Sequence, residues 1–225
     1  MMNETEFDRS ENIKDNKYSN SEREKLIERI INEKGTEAFE DMIKLLEDDD
    51  ENVREIAAEV LYRLGDSSLG KLEQVLKDTI RKGEKNKVSL LYIIDILGDL
   101  NDRNAVKDIL KALELYDFEE AQLVIYEALA KLGAGEQFYP LLKYMLLEGE
   151  ERFEYGPQVA MVLSYLDMPE VVRNLVEAID SNDFNGEDLE LIKQALTNVI
   201  NLRPAYKEIL TALVGEEHFK DYING

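Results

Sequence analysis

The sequence predicts an all-α fold, a solenoid of about five to six stacked antiparallel helix pairs, and three observations carry that prediction. The phrase Val53-Arg54-Glu55-Ile56-Ala57-Ala58-Glu59-Val60-Leu61-Tyr62-Arg63-Leu64-Gly65-Asp66 returns in degenerate form. Its ending recurs at Leu97-Gly98 and Leu132-Gly133, then as Leu166-Asp167 and Leu202-Arg203, at leucine intervals of 33, 35, 34 and 36 residues. A period of that size marks one supersecondary unit used repeatedly. Between the breaks, apolar residues fall at i, i+3, i+4 spacing, which lines one face of a helix. Strand signals are missing: there is no sustained period-2 alternation, and the Asn-Gly pairs at 185–186 and 224–225 sit in an inter-helix loop and at the C-terminus.

Taken in order, residues 1–20 are polar and aperiodic and read as a disordered tail, leaving 21–225 as the repeat body. Ser21, with Glu24 three residues on, reads as a capping box that opens a helix running to Gly35. Thr36 then caps a helix carrying Phe39, Met42, Ile43, Leu45 and Leu46. An acidic turn at 48–52 leads into the helix 53–64. The later pairs are 69–80 with 88–97, 105–115 with 119–132, 138–147 with 155–166, and 169–179 with 187–202. Pro204 opens a last helix, since Pro suits a first helical position.

Aligning the second helices on their terminal Leu shows why they must be buried. Three residues earlier lie Leu61, Ile94, Leu129, Leu163 and Val199; six earlier lie Ala58, Leu91, Tyr126, Ala160 and Leu196. One helix pair cannot cover such a stripe alone, whereas a neighbouring pair can. Gly after the Leu suits a left-handed position that ends a helix, so the turns at Asp167 and Arg203 are expected to close differently.

The stretch Asp50-x-x-Val53-Arg54-x-x-Ala57-Ala58-x-x-Leu61-x-x-Leu64-Gly65-Asp66 resembles a HEAT repeat of the short, phycocyanin-lyase-like type. The run 96–102 with Ala105, Val106, Ile109 and Leu110 resembles a second, and Leu129-Ala130-Lys131-Leu132-Gly133 a third. The likeness is close over 36–166 and weak over 167–215. It implies a HEAT-like superhelix serving as a scaffold. It also implies that an Arg after Val ties neighbouring turns by pairing with acidic loop residues. Arg54 alone matches, with Lys87 a partial echo, so no continuous ladder of such pairs is expected.

Composition narrows the function. The 49 acidic residues against 27 basic ones give a net charge of −22, which disfavours phosphate backbones and anionic membranes and favours basic partners at encounter. With no Cys, thiol catalysis, disulfides and zinc–thiolate sites are out, and a reducing cytoplasm fits. No run approaches a membrane span and the start lacks a signal-peptide core, so the expected location is cytoplasmic. A lone His218 cannot build the His–Glu pairs of a di-iron hydroxylase of this fold. Without Trp or a basic face, a HEAT-like DNA glycosylase is also a poor fit. A bilin lyase has only the repeat type in its favour. Asp48-x-Asp50-x-Asn52 mimics a calcium loop, but Val53 stands where the sharp turn needs Gly, so it reads as a capping turn. No metal, cofactor or catalytic set is expected.

The expectation is therefore a non-enzymatic protein- or peptide-binding scaffold, with an accessory subunit of an enzyme complex as the alternative. On the second helices, Tyr62, Tyr92, Ile96, Met161 and Tyr165 stand where a purely solvated face would carry charge, and Glu59, Glu127 and Asp95 lie among them. Large apolar residues beside acids suit a peptide with a basic flank.

Overall fold

The computed structural model describes residues 20–223. Apart from Asn20, the expected tail lies outside the described residues. The chain divides into two compact units, the first ending at Leu100 and the second beginning at Asn101. The division falls within the segment that the repeat spacing treats as one body. Among the described residues there is no strand, and no helix is long and apolar enough to cross a membrane.

The first unit holds α1 (Asn20–Lys34), α2 (Phe39–Leu45), α3 (Glu51–Arg63), α4 (Asp66–Lys82) and α5 (Val88–Asp99). Helices α1, α3 and α5 pack side by side, with α2 against α3 and α4 against α5. Two expected caps shift. Ser21 lies inside α1, and Thr36 lies in a short 3-10 turn, Gly35–Ala38, from which α2 starts without a side-chain cap. That turn starts at a left-handed Gly35 (φ 51°), and its i→i+3 bonds occupy backbone groups a Thr cap would have served.

The second unit holds α6 (Val106–Ala112), α7 (Glu119–Lys131), α8 (Tyr139–Leu147), α9 (Arg152–Ser164), α10 (Glu170–Asp180), α11 (Gly186–Leu202), α12 (Lys207–Val214) and α13 (Phe219–Tyr222). Here α7, α9 and α11 pack in one layer, while α10 lies between α8 and α12 in the other. The pairs α6–α7, α8–α9 and α10–α11 join the layers. Pro204 opens a 3-10 turn that leads into α12, and the short α13 follows, beyond the last helix expected from the repeats.

The stripe read from the repeats is the core of both units. Leu61, Ile94, Leu129, Leu163 and Val199 are all fully buried. Of the row six before each terminal Leu, Tyr126, Ala160 and Leu196 are buried, and Ala58 and Leu91 half-buried. Gly65 (φ 57°) and Gly133 (φ 72°) take the positive φ that ends the helix. Gly98 does not: α5 continues to Asp99, and Asn101 (φ 55°) takes the left-handed position, which Asn tolerates. The turns at Asp167 and Arg203 close without a positive φ at either residue.

Side chains tie several of the turns to neighbouring helices. Arg54 donates to the carbonyls of Asp48 (2.7 Å) and Asp49 (3.1 Å), rather than to acidic side chains. Ten residues before the next terminal Leu, Lys87 pairs with Glu47 (3.0 Å) and Glu84 (2.8 Å). At the same register Gln122 donates to the Tyr116 carbonyl (3.1 Å), a neutral group in the same role. The later repeats change the donor's position. Arg152 holds the carbonyls of Gly149 (2.8 Å) and Glu148 (3.3 Å), and Arg203 those of Tyr165 (2.6 Å) and Ser164 (3.1 Å). A cation at a helix C-terminus contributes about 0.3–1 kcal/mol through the helix dipole. The calcium-loop mimic resolves as a cap: Asp50 accepts from the Asn52 amide and Asp48 from the Asp50 amide, both at 2.9 Å.

The C-terminal helix α13 is fastened by the Tyr222 hydroxyl, which donates to Asp180 at 2.6 Å. That bond, with burial, pushes the Tyr222 phenol up to about 12. A raised folded value means the bond stabilises fully below the unfolded phenol's pKa of about 10. The contribution is lost as pH climbs from there through about 12. Amide exchange of residues 219–222 is expected to accelerate in that window in the parent. Tyr222→Phe should exchange faster already at neutral pH and show no further step there. An identical alkaline step in both proteins would rule this fastening out.

Candidate functional site

The residues expected to form a partner-binding face divide between the units. In the first, Tyr62 on α3 is 40% exposed, while Tyr92 and Asp95 on α5 are half-buried. Ile96 is only 4% exposed, so it is core rather than contact surface. The reason is local: Ile93, Ile94, Ile96, Leu97 and Gly98 are buried together, so the apolar face of α5 is wide enough to include Ile96, with Tyr92 and Asp95 toward its edge. Glu59 is engaged by Arg63, whose Nε lies 2.5 Å away and whose other nitrogens grip Glu24 at 2.5 and 2.8 Å. Hydrogen bonding to Glu24 and then Glu59 holds the Arg63 guanidinium well above its usual value.

In the second unit, Glu127, Lys131 and Tyr165 are brought together. Lys131 pairs with Glu127 at 2.9 Å, and its ammonium stands 5.3 Å from the Tyr165 ring centroid. Tyr165 and Met161 are half-buried and pack against the core of this unit. Among the proposed acids, Glu59 and Glu127 thus already have an internal cation. Their pairs are near the surface, where such bridges contribute about 0–1 kcal/mol.

Elsewhere in the second unit, α8 and its neighbours carry exposed apolar groups. Leu141 (44%) and Tyr144 (49%) project from α8, and Phe153 (60%) from the start of α9. Phe118, at the N-cap of α7, is also exposed, edge-on to the buried Tyr116 ring with centroids 6.2 Å apart. Between α7 and α8 lies a concavity of about 160 Å³, lined by Glu119, Gln122, Leu123, Tyr126, Leu141, Tyr144, Met145 and Glu151. Its floor is apolar and aromatic, its lining holds two carboxylates, and none of its lining residues is basic.

Local sequence builds this concavity. In α8, Leu142, Met145 and Leu146 supply the buried stripe, so Leu141 and Tyr144 fall off it and face outward. Tyr126, on α7, packs its ring against Phe138 with centroids 4.5 Å apart, and burial raises its phenol pKa. The turn at 148–151 has a Gly at 149. A Cβ on Gly149 would collide with the Glu151 carboxylate and stand 3.1 Å from a Tyr144 ring carbon. Beside it, Arg152 reaches the other way, to Asp183 at 3.0 Å, with its guanidinium carbon 4.2 Å from the Phe153 centroid. The nearby Tyr155 phenol is held well above its usual value by burial and by bonding to Glu120 and Glu154.

The sequence reading missed Leu141, Tyr144 and Phe153. For Leu141 and Tyr144 the signal was the composition of 139–147, nine residues with only Lys143 charged, more apolar surface than one stripe can bury; Phe153, among charged neighbours, had none. His218 is exposed and lies 3.2 Å from Asp221. Compared with models of known families, with curated proteins and with solved structures, the chain matches none.

Proposed function

We propose that the chain is a HEAT-like helical repeat stack, a solenoid, that acts as a non-enzymatic scaffold in the cytoplasm and docks a protein or peptide of basic character. The observation that carries this is the pair Leu141 and Tyr144, exposed in the wall of a concavity that has carboxylates in its lining, with Phe118 and Phe153 exposed one and two residues from its Glu119 and Glu151. Adjacent exposed apolar and aromatic side chains such as Leu141 and Tyr144 mark interaction surfaces, and Tyr is enriched among residues that dominate binding. The net charge of −22 favours encounter with a basic partner. Helix layers joined by pairs at a regular spacing suit the HEAT-like reading.

This reading places the main anchor at Leu141 and Tyr144 and not on the second-helix face that includes Tyr92 and Tyr165. A partner captured from source-cell lysate, then purified, is expected to bind the parent and to lose at least about tenfold in affinity to Leu141→Ser/Tyr144→Ser. Tyr92→Ala/Tyr165→Ala is expected to change affinity by less than about threefold where circular dichroism shows it folded. If the first double variant keeps the parent's Kd, the α8 surface is not the docking site.

A further inference from the structure

We propose that the concavity between α7 and α8 receives the guanidinium of an arginine side chain presented by the docked polypeptide. The inference rests on the docking reading above and adds the chemistry of its occupant. Size sets the first limit. Sites for cofactors and drug-sized ligands run to about 300–1,000 Å³. At about 160 Å³ this one has room for a single long side chain.

Lining sets the second limit. Leu123, Leu141 and Met145 offer apolar wall for an aliphatic stem, and Tyr126 and Tyr144 offer rings. Glu119 and Glu151 lie on either side in sequence, one opening α7 and the other just before α9. Glu119 and Glu151 are both exposed, and an apolar guest alone would leave them without a counter-charge and gain nothing from them. An ammonium would satisfy the carboxylates but is a compact, strongly hydrated charge. A guanidinium is planar and weakly hydrated, stacks on aromatic faces and forks its N–H donors toward carboxylates, so it uses both kinds of wall.

The neighbouring arginine does not fill the place. Arg152 is drawn off by Asp183, by the Gly149 and Glu148 carbonyls and by the Phe153 ring. Its interactions hold the 148–152 turn, and with it Glu151, while the lining itself keeps no basic group.

The test is a nuclear magnetic resonance titration of the full chain with N-acetyl-arginine amide and, separately, with N-acetyl-citrulline amide, which has the same shape without the charge. The arginine probe should give saturable amide shifts at Gln122, Tyr126, Tyr144 and Gly149, with the citrulline probe at least about fivefold weaker. Glu119→Gln/Glu151→Gln should weaken the arginine probe by about fivefold and leave the citrulline probe unchanged. Tyr144→Leu, which keeps an apolar wall but removes a ring, should weaken the arginine probe by about threefold. Equal affinity for both probes, or no saturable shift with the arginine probe, overturns the proposal. Should that happen while Leu141→Ser/Tyr144→Ser still loses the captured partner, the docking surface stands and only the arginine assignment fails. Binding of the arginine probe with an unchanged partner Kd in that variant would sink the docking reading instead.

Discussion

Leu163→Ala is expected to destabilise the second unit by about 2–5 kcal/mol. Leu163 is fully buried on α9, the helix that touches α7, α8, α10 and α11, so the residual cavity would open where most of the unit's elements meet. Neighbours held in place by four helices can relax only partly, and the unfilled volume adds to the lost transfer energy. Urea unfolding followed by circular dichroism should show a lower midpoint with little change in slope. Leu202→Ala is the matched control. Leu202 occupies the repeat-ending position shared by Leu97, Leu132 and Leu166, all buried, yet it is itself 51% exposed. Its truncation should stay within about 0.5 kcal/mol. Comparable losses for both would mean that repeat position, and not burial in this structure, determines the cost.

That contrast also measures what the sequence could say. The row three before each terminal Leu was legible because helical spacing and a regular interval both pointed to it, and all five members are buried. Gly65 and Gly133 were legible because a positive φ selects Gly strongly. Gly98 misled, because Asn101 could take the same backbone role three residues later while α5 ran on. Ile96 misled for a related reason. Placing it outward assumed one polar side on α5, and 88–97 carries a single charge, Asp95. The clamps of Arg152 and Arg203 were invisible since their acceptors are chiefly carbonyls, which every residue has. The α8 surface was harder still. Which of the apolar residues in 139–147 stays outside depends on what packs against the helix, a property of the assembled unit.

Gly156→Ala should destabilise by about 1–3 kcal/mol through overpacking, although Ala is the better helix former by about 1 kcal/mol. Gly156 is buried inside α9, and a Cβ there would lie 2.5 and 2.7 Å from two carbons of the Phe184 ring. Phe184 is itself buried, in the loop between α10 and α11, so its ring cannot swing out at low cost. Pro157 follows directly, and a Cβ before Pro disfavours the helical region, so little of Ala's propensity advantage survives. In a Phe184→Ala background the collision is gone. There the same substitution should fall to within about 0.5 kcal/mol of neutral, a coupling of at least about 1 kcal/mol in a double-mutant cycle. Additive effects would show that the ring is not what Gly156 accommodates. The contact matters beyond stability because it sits one helical turn from Arg152, whose bridge to Asp183 fastens the same loop to the start of α9. Glu151 and Phe153 flank Arg152, so loosening Gly156 against Phe184 should weaken the arginine probe, whereas Leu163→Ala at the far end of α9 should lower stability and leave probe affinity in the folded protein within about twofold.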